Sequence, residues 1–295
     1  MGEELRCRLA DGRDLGYAQY GDPEGTPIFF LHGFPGSRLS AQIAHEPALS
    51  LGVRVVAPER PGIGLSSPRP GRKLLEHAAD VAELADRLRL DRFAVLGDSG
   101  GGPYAAACAF ALRGRLASVA IVNGLGPPET PEATRGMAIG ERLAYIFGRR
   151  APRFSGWFLA RFAAWARGHR RAFLRLVRTQ LAEPDRRMLA QGALARLFVD
   201  DFLEAFRQGW VWVAEELALL TRPWGFRLEE IRVPVRLFVG GLDRTVPAAA
   251  MRHVAAAIPG CALTCYEDEG HFSLLANRLD EILAELQAAI RAAPP

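Results

Sequence analysis

The chain has 295 residues, of which 49% are hydrophobic and 24% are charged, and its mean hydropathy is +0.03. This composition excludes a disordered or fibrous protein, and the length allows one large domain or two. The 37 basic and 33 acidic residues leave a net charge of +4, which is too small to indicate a nucleic-acid-binding protein.

The amino-terminal segment begins with acidic residues and has no apolar stretch, so we predict no secretory signal in it. No run of about 18 apolar residues occurs, which excludes a transmembrane helix. The cysteines are scattered, and the CxxxC spacing of Cys261 and Cys265 lacks a second ligand pair for zinc. We therefore expect a cytoplasmic protein without a metal.

The first 122 residues alternate short apolar segments with helical patterns. Apolar residues recur at helical spacing over residues 74–90, and a small-residue, helix-forming segment covers 100–112. Short apolar segments bounded by glycine or proline predict strands at residues 15–20, 28–31, 53–57, 93–96 and 116–122.

The same alternation returns near the carboxyl terminus. Strands are predicted at 235–239 and 262–266, and helices at 248–258 and 272–292. Strands that alternate with helices through short connections form a mostly parallel sheet with helices on both faces. The sequence therefore predicts the α/β class.

Between residues 127 and 225 the strand patterns disappear. Amphipathic helical patterns cover 153–167, 186–197 and 202–220, and proline-containing turns mark both ends of the segment. Because the strand pattern resumes afterwards, this segment is an insertion and not a separate terminal domain. We predict one α/β core domain formed by 1–126 and 226–295, with a helical cap inserted at 127–225.

The sequence GDSGG at 97–101 matches the pattern G-x-S-x-G between a predicted strand and a predicted helix. Such a sharp strand-to-helix turn exposes its central residue, Ser99, above the sheet, while Gly97 and Gly101 allow neighbouring backbone to approach. The same letters resemble the serine region of chymotrypsin-like proteases. Those are all-β proteins in which the serine follows the histidine and the aspartate, so we attribute that match to coincidence.

A nucleophilic serine needs a base, and the base needs an orienting acid. His271 follows the last predicted strand and precedes the terminal helix, at the edge of the sheet where open α/β sheets bind ligands. Asp243 follows the preceding strand, whereas the strand before that is followed by Asn123. The order Ser99, Asp243, His271 is that of α/β-hydrolases. We interpret His45, His77, His169 and His253 as packing or surface residues in helical patterns, and Glu267, Asp268 and Glu269 as a solvated loop.

Five motifs together make the chain resemble the α/β-hydrolase superfamily, specifically the bacterial group with a helical cap, over nearly its whole length. They are HGFPG at 32–36, ERPGIGLS at 59–66, GDSGG at 97–101, GLD at 241–243 and GH at 270–271. The resemblance implies an eight-stranded sheet, Ser99, Asp243 and His271 as the catalytic triad, and the backbone N–H groups of Phe34 and Gly100 as the oxyanion hole. It also implies that His32 and Gly33 support that loop. Glu59 departs from the aspartate that is commoner in the family.

The resemblance implies a serine hydrolase that cleaves a carboxylic ester or related acyl bond of a small to medium apolar substrate, without cofactor or metal. Lactones, C–C bonds, amides as in proline iminopeptidases, perhydrolysis and acyl transfer stay open. A ligand-sensing or partner-binding protein that keeps the triad also stays open. Enzymes with an aspartate nucleophile are disfavoured, because a shift to Asp98 would put Leu96 at a glycine position. We expect a monomer or homodimer that acts on a small molecule and not on nucleic acid.

The predicted cap carries two further patterns. Twelve arginines lie between residues 141 and 187 against three acidic residues; we interpret them as a solvated face, with attraction of an anionic substrate or a membrane surface as alternatives. Several aromatic residues could line an acyl pocket, although packing within the cap is expected for most of them. These are Trp157, Phe158, Phe162, Trp165, Phe173, Trp210 and Trp212.

Overall fold

The structure is a computed structural model that describes residues 4–137 and 139–292. Residues 1–3, which begin the segment searched for a secretory signal, lie outside the described residues, as do residue 138 and residues 293–295. Among the described helices, none is both long enough and apolar enough to cross a membrane.

The described strands form one eight-stranded sheet in the order β1-β2-β4-β3-β5-β6-β7-β8. β2 pairs antiparallel with β1 and β4, and the other neighbours are parallel. The predicted mostly parallel eight-stranded sheet is therefore confirmed. The strands are β1 (Leu5–Arg8), β2 (Asp14–Gly21), β3 (Thr26–Leu31), β4 (Val53–Pro58), β5 (Phe93–Asp98), β6 (Leu116–Val122), β7 (Val235–Gly240) and β8 (Ala262–Tyr266).

Helices cover both faces of the sheet because its central strands are apolar on both sides. One face packs against α1, α11 and a 3₁₀ segment, Arg38–Ala44, and the other against α2, α3 and α10. The helices of these two layers are α1 (His45–Leu51), α2 (Glu76–Arg87), α3 (Gly102–Ala111), α10 (Ala248–Ala257) and α11 (Ser273–Ala292).

The chain reverses its direction of travel across the sheet at β3. From β3 it continues to β4 on one side, and then crosses to β5 on the other side of β3. The loops that leave the carboxyl ends of β3 and β5 therefore diverge and leave a crevice between them, where ligands bind in open α/β sheets.

The helices between β6 and β7, here called the inserted helices, pack into a third apolar cluster that includes Phe173, Phe202 and Val213. Ile63 of the core joins the same cluster, so the inserted helices rest on the core. They are α4 (Ile139–Arg150), α5 (Pro152–Gly168), α6 (Arg170–Gln180), α7 (Glu183–Met188), α8 (Gly192–Glu204) and α9 (Trp210–Leu220).

Several elements and boundaries differ from the predictions. β1 was not among the predicted strands, because four residues with alternating exposure leave little pattern to detect. The predicted helices over 186–197 and 202–220 are wrong in extent. The first segment contains the end of α7 and the start of α8, and the second contains the end of α8 and all of α9. Gly209, with φ +100°, separates α8 from α9 in a conformation that other residues rarely adopt. His169, expected inside a helical pattern, lies between α5 and α6.

Candidate active site

Ser99 stands at a strained turn between β5 and α3. Its φ is +50°, in the left-handed region that non-glycine residues rarely occupy. A Cβ placed on Gly101 would lie 2.0 Å from the Leu31 carbonyl oxygen, and one on Gly97 would lie 2.6 Å from Ala105 Cβ. The glycines thus let the turn press against β3 and α3, and this close packing holds Ser99 in its strained conformation.

His271 and Asp243 meet Ser99 across the carboxyl edge of the sheet. His271 Nε2 lies 3.0 Å from Ser99 Oγ, and His271 Nδ1 lies 2.7 Å from Asp243 Oδ2. The second carboxylate oxygen of Asp243 accepts hydrogen bonds from the N–H groups of Thr245 (2.7 Å) and Val246 (2.9 Å). The structure therefore brings the three predicted residues into one hydrogen-bonded chain that can take a proton from the serine hydroxyl.

The charges around His271 favour its protonated form. Burial alone would lower the pKa of His271, but the charge and hydrogen bond of Asp243, with the charges of Asp98 and Asp185, raise it to about 9. A cationic imidazole is the state that a serine nucleophile creates when it gives up its proton. The surroundings of His271 thus stabilise its cationic form.

Asp98 places a second carboxyl group at the site. Burial, opposed by the His271 charge and reinforced by Asp243, raises the pKa of Asp98 to about 6. The carboxyl lines the same cavity as Ser99 and His271. From the sequence, Asp98 was weighed only as a nucleophile, and its place in the cavity wall was not predicted. The backbone of Asp98 is extended, with φ −99° and ψ 130°, so the turn residue is Ser99.

Phe34 and Gly100 are adjacent across the crevice. A Cβ built on Gly100 would lie 3.0 Å from the backbone nitrogen of Phe34 and 2.7 Å from its Cβ. Both residues line the cavity at Ser99. This adjacency is what an oxyanion hole formed by two backbone N–H groups requires.

The loop that carries Phe34 is tied down by Arg60. Arg60 donates from Nη1 to the His32 carbonyl (2.6 Å) and from Nη2 to the Gly33 carbonyl (2.7 Å). The His32 ring is fully buried, with Nδ1 3.0 Å from the Gly33 oxygen. Burial, helped by the nearby Arg60 charge, holds the pKa of His32 well below its usual range. A neutral, buried His32 suits the predicted supporting role and not a base at Ser99.

Two residues that the sequence analysis did not assign hold the His271 loop. Asn123 Nδ2 donates to the carbonyls of Gly270 (3.1 Å) and His271 (2.9 Å). Asp185, which belongs to α7, accepts hydrogen bonds from the N–H groups of His271, Phe272 and Ser273 at 2.9 to 3.0 Å. No local pattern marks either residue, because the partners lie 86 or more positions away in the chain.

A cavity of about 760 Å³ connects Ser99 with the inserted helices. Its walls are mainly apolar, and of the predicted aromatic residues Phe158, Phe162 and Phe173 line it. Trp157, Trp165, Trp210 and Trp212 do not. Its wall contains no arginine among the described residues, so the basic stretch does not supply a counter-charge inside the cavity.

The remaining histidines and acids lie in other surroundings. His45 Nδ1 accepts from the Gly21 N–H, His77 packs edge-on against Tyr104, and His169 stacks on Trp165. Glu269, expected in a solvated loop, is buried and accepts from Asn277 Nδ2. In the part of the chain that the structure describes, no group of His, Cys, Asp and Glu side chains could hold a metal ion.

Comparison with known proteins adds one family and several relatives. A family model described as the alpha/beta hydrolase fold matches residues 26–277. A non-heme chloroperoxidase of Streptomyces lividans is 37% identical over 120 residues, 40% of this chain and 44% of that protein. The dihydrolipoyllysine-residue acetyltransferase component of an acetoin cleaving system from Cupriavidus necator is 29% identical over 92% of this chain and 65% of that protein. The chain thus spans less than two thirds of either relative.

Solved structures share the fold over the whole chain. A thermophilic esterase from Thermogutta terrifontis superposes with a TM-score of 0.71 at 23% identity, covering 98% of this chain and 99% of that one. The enol-lactonase of Burkholderia xenovorans LB400 gives 0.69 at 19% identity, covering 96% and 100%. At these identities the likeness is one of fold.

Proposed function

The chain belongs to the α/β-hydrolase fold family, and from that premise we propose that it is a serine hydrolase acting on carboxylic esters or related acyl bonds. The observation that carries the proposal is the hydrogen-bonded chain Ser99–His271–Asp243 at the end of a strained turn. In this proposal the helical segment 127–225 is a cap over the core formed by 1–126 and 226–295.

The proposed reaction proceeds through an acyl-enzyme. Ser99 Oγ attacks the carbonyl carbon while His271 Nε2 takes its proton, and the tetrahedral intermediate collapses as His271 returns that proton to the departing alcohol. Water then attacks the acyl carbon, His271 removes its proton, and Ser99 leaves as the hydroxyl with release of the acid. Asp243 holds the imidazole and stabilises its charge.

The oxyanion of each tetrahedral intermediate is assigned to the N–H groups of Phe34 and Gly100. Such donors are effective because they are already oriented before the charge forms, and the loss of one typically costs about 10²- to 10³-fold in rate. The Arg60 hydrogen bonds to the loop before Phe34 support this orientation.

The substrate that fits this cavity is apolar. Aromatic and aliphatic side chains form most of the wall. Among the described residues, the charged side chains that line it belong to carboxylic acids or to His271. A neutral ester with an aliphatic or aromatic acyl group is therefore favoured over an anionic substrate. Haloalkane dehalogenase 2 of Mycobacterium tuberculosis is 39% identical over 103 residues, but the residue at the turn here is serine, which favours acyl chemistry.

Labelling and turnover test this function together. Wild-type protein should react with a fluorophosphonate probe and release p-nitrophenol from p-nitrophenyl esters. Ser99→Ala should lose the label and lower kcat by about 10⁴-fold or more, as removal of a nucleophile does. Ser50→Ala is the matched control, because Ser50 is exposed on α1, where its Oγ donates to the Pro47 carbonyl.

Two results would contradict the proposal in different ways. Full activity in Ser99→Ala would refute the nucleophile. Absence of both label and turnover in the wild type would refute the hydrolase and favour a ligand-sensing or partner-binding protein. A panel of esters, lactones, prolyl amides and vinylogous diketones then determines the bond that is cleaved.

A further inference from the structure

The outer surface of α4 and α5 exposes large apolar side chains. Ile139, Leu143 and Phe147 recur every fourth residue along α4, so they form one stripe, and Ile139 is 80% exposed. On α5, Phe154 and Phe158 are each 59% exposed, and Trp157 is 47% exposed. A patch of this kind marks an interaction site when its members are contiguous.

Some of these exposed side chains form the mouth of the cavity at Ser99. Four residues are both largely exposed and part of the cavity wall, and they come from three helices: Phe147, Phe154, Phe158 and Leu176. Because they border one opening, the exposed parts of α4, α5 and α6 face the same side of the molecule. The apolar surface outside is continuous with the apolar wall inside.

The same helices carry exposed arginines without acidic partners. Across the described residues, no ion pair joins an acid to Arg150, Arg153, Arg161 or Arg175. Two nearby acids are already engaged, since Glu183 pairs with Arg187 at 2.8 Å and Asp185 binds the start of α11. The face formed by the exposed apolar residues and these arginines is called the α4–α6 face below.

We propose that the α4–α6 face docks on an anionic lipid surface and that an acyl ester dissolved in that surface enters the cavity through the apolar mouth. Amphipathic helices with aromatic and aliphatic residues beside arginines bind such surfaces, the apolar side chains entering the acyl boundary and the guanidinium groups pairing with phosphates. The docking rests on the surface alone, whereas the substrate class rests on the proposed hydrolase function.

A second copy of the chain fits this face less well. In a two-fold dimer the same patch meets itself, so the unpaired arginines of both copies would be brought together and repel each other. A lipid surface of opposite charge neutralises them instead.

Vesicle co-sedimentation tests the docking. Wild-type protein should bind vesicles of phosphatidylcholine and phosphatidylglycerol in equal amounts, bind phosphatidylcholine alone at least about tenfold more weakly, and dissociate as salt is raised. Arg150→Glu/Arg153→Glu should weaken binding to the anionic vesicles by at least about tenfold. Leu143→Ser/Trp157→Ser should weaken it comparably, because neither side chain lines the cavity but both are exposed.

Matched controls come from the opposite end of the core. Arg291→Glu and Leu49→Ser make single substitutions of the same kind at exposed residues of α11 and α1. Both lie near Gln287, which donates hydrogen bonds to the carbonyls of Leu51 and Gly52 before β4. These variants should bind vesicles as the wild type does, and thermal melting shows that every variant is folded. Two results would overturn the docking: equal binding to vesicles with and without anionic lipid, or undiminished vesicle binding in both α4–α6 variants.

The remaining outcomes separate this inference from the proposed function. Ser99→Ala should bind vesicles like the wild type while it loses turnover. Vesicle binding by a wild-type protein that shows no turnover would refute the hydrolase and leave the docking standing. Turnover of dissolved esters without any vesicle binding would refute the docking alone. If the α4–α6 variants change the sedimentation mass of the protein and not its vesicle binding, the face is a dimer interface and the lipid proposal fails.

Discussion

The proposed reaction centres on one residue, His271, which lies between Ser99 and a buried carboxylate. Asp243 fixes the side of the ring that carries the proton, because its oxygen lies 2.7 Å from Nδ1. That leaves Nε2 facing Ser99 at 3.0 Å, as a base must. The same carboxylate raises the affinity of the ring for a proton. In the proposed reaction we therefore expect the ionisation of His271 to govern the pH dependence of activity.

We expect kcat/KM to rise with pH through the pKa of His271, at about 9, because the base must be neutral. The pKa of His271 is higher in the folded protein than the ordinary value of 6.5 that applies to the unfolded chain. The interaction of His271 with Asp243 therefore stabilises the fold most below pH 6.5, and that stabilisation is lost as pH rises to about 9. Asp243→Asn should move the rise of its residual activity to lower pH, because it lowers the pKa of His271. A pH–rate profile measures the activity, and the imidazole NMR signal of His271 measures the pKa. Asp268→Asn, in the exposed loop nearby, is the control. An unchanged limb in Asp243→Asn would contradict the prediction.

At the scale of elements, α7 holds the start of α11. The carboxylate of Asp185 accepts from the N–H groups of His271, Phe272 and Ser273, where the helix has no carbonyl partners of its own. Ser273 adds a second cap, since its Oγ accepts from the Gly270 N–H at 2.8 Å. A residue of the inserted helices thus orients the loop that carries His271.

Asp185→Ala should lower the free energy of unfolding by about 1–3 kcal/mol, because buried N–H donors lose their acceptor. It should also reduce kcat, since His271 is displaced. Chemical denaturation and steady-state kinetics measure the two effects. Glu183→Ala removes an exposed i,i+4 pair on the same helix and should change stability by about 0.5 kcal/mol or less. Equal stability of the two variants would refute this role for Asp185.

At the scale of the whole molecule, one buried carboxylate joins the inserted helices to the core. Glu216 of α9 is fully buried, with Oε1 2.7 Å from Arg60 Nε and Oε2 accepting from Arg72 and from Tyr104 Oη. Burial would raise the pKa of Glu216, but the Arg60 and Arg72 charges hold it below its usual value. Because Arg60 also binds the loop before Phe34, this cluster connects α9 to the proposed oxyanion hole.

Glu216→Gln should cost about 3–5 kcal/mol, because it leaves two buried guanidinium groups without a counter-charge. We expect the core and the inserted helices of the wild type to unfold in a single transition, which fluorescence and circular dichroism measure. In the variant, kcat should fall more than KM changes, since Arg60 positions the loop and does not line the cavity. Glu215→Gln is the neighbouring control, with an expected cost of about 1 kcal/mol or less. A variant as stable as this control would contradict the role of Glu216.

Much of the fold could be predicted because it depends on short stretches of chain. Apolar segments of four to seven residues predicted β2 to β8, and the glycines around Ser99 predicted its turn, since both depend on neighbours in sequence. The positions of Asp243 and His271 followed from the rule that parallel strands end at one edge. Helix boundaries between residues 186 and 220 were predicted less well, because amphipathic spacing continues across the breaks.

The sequence by itself determined the sheet, the turn at Ser99 and the order of the candidate triad, because these arise from local patterns and a common strand direction. The tertiary structure decided which distant side chains support them: Asn123 and Asp185 at the His271 loop, and Glu216 beside Arg60. It also decided that the basic stretch lies outside the cavity and carboxyl groups inside. These contacts join elements that are far apart in the chain. The packing of the helices against the sheet determines them, and no periodic pattern in the sequence marks the residues that form them.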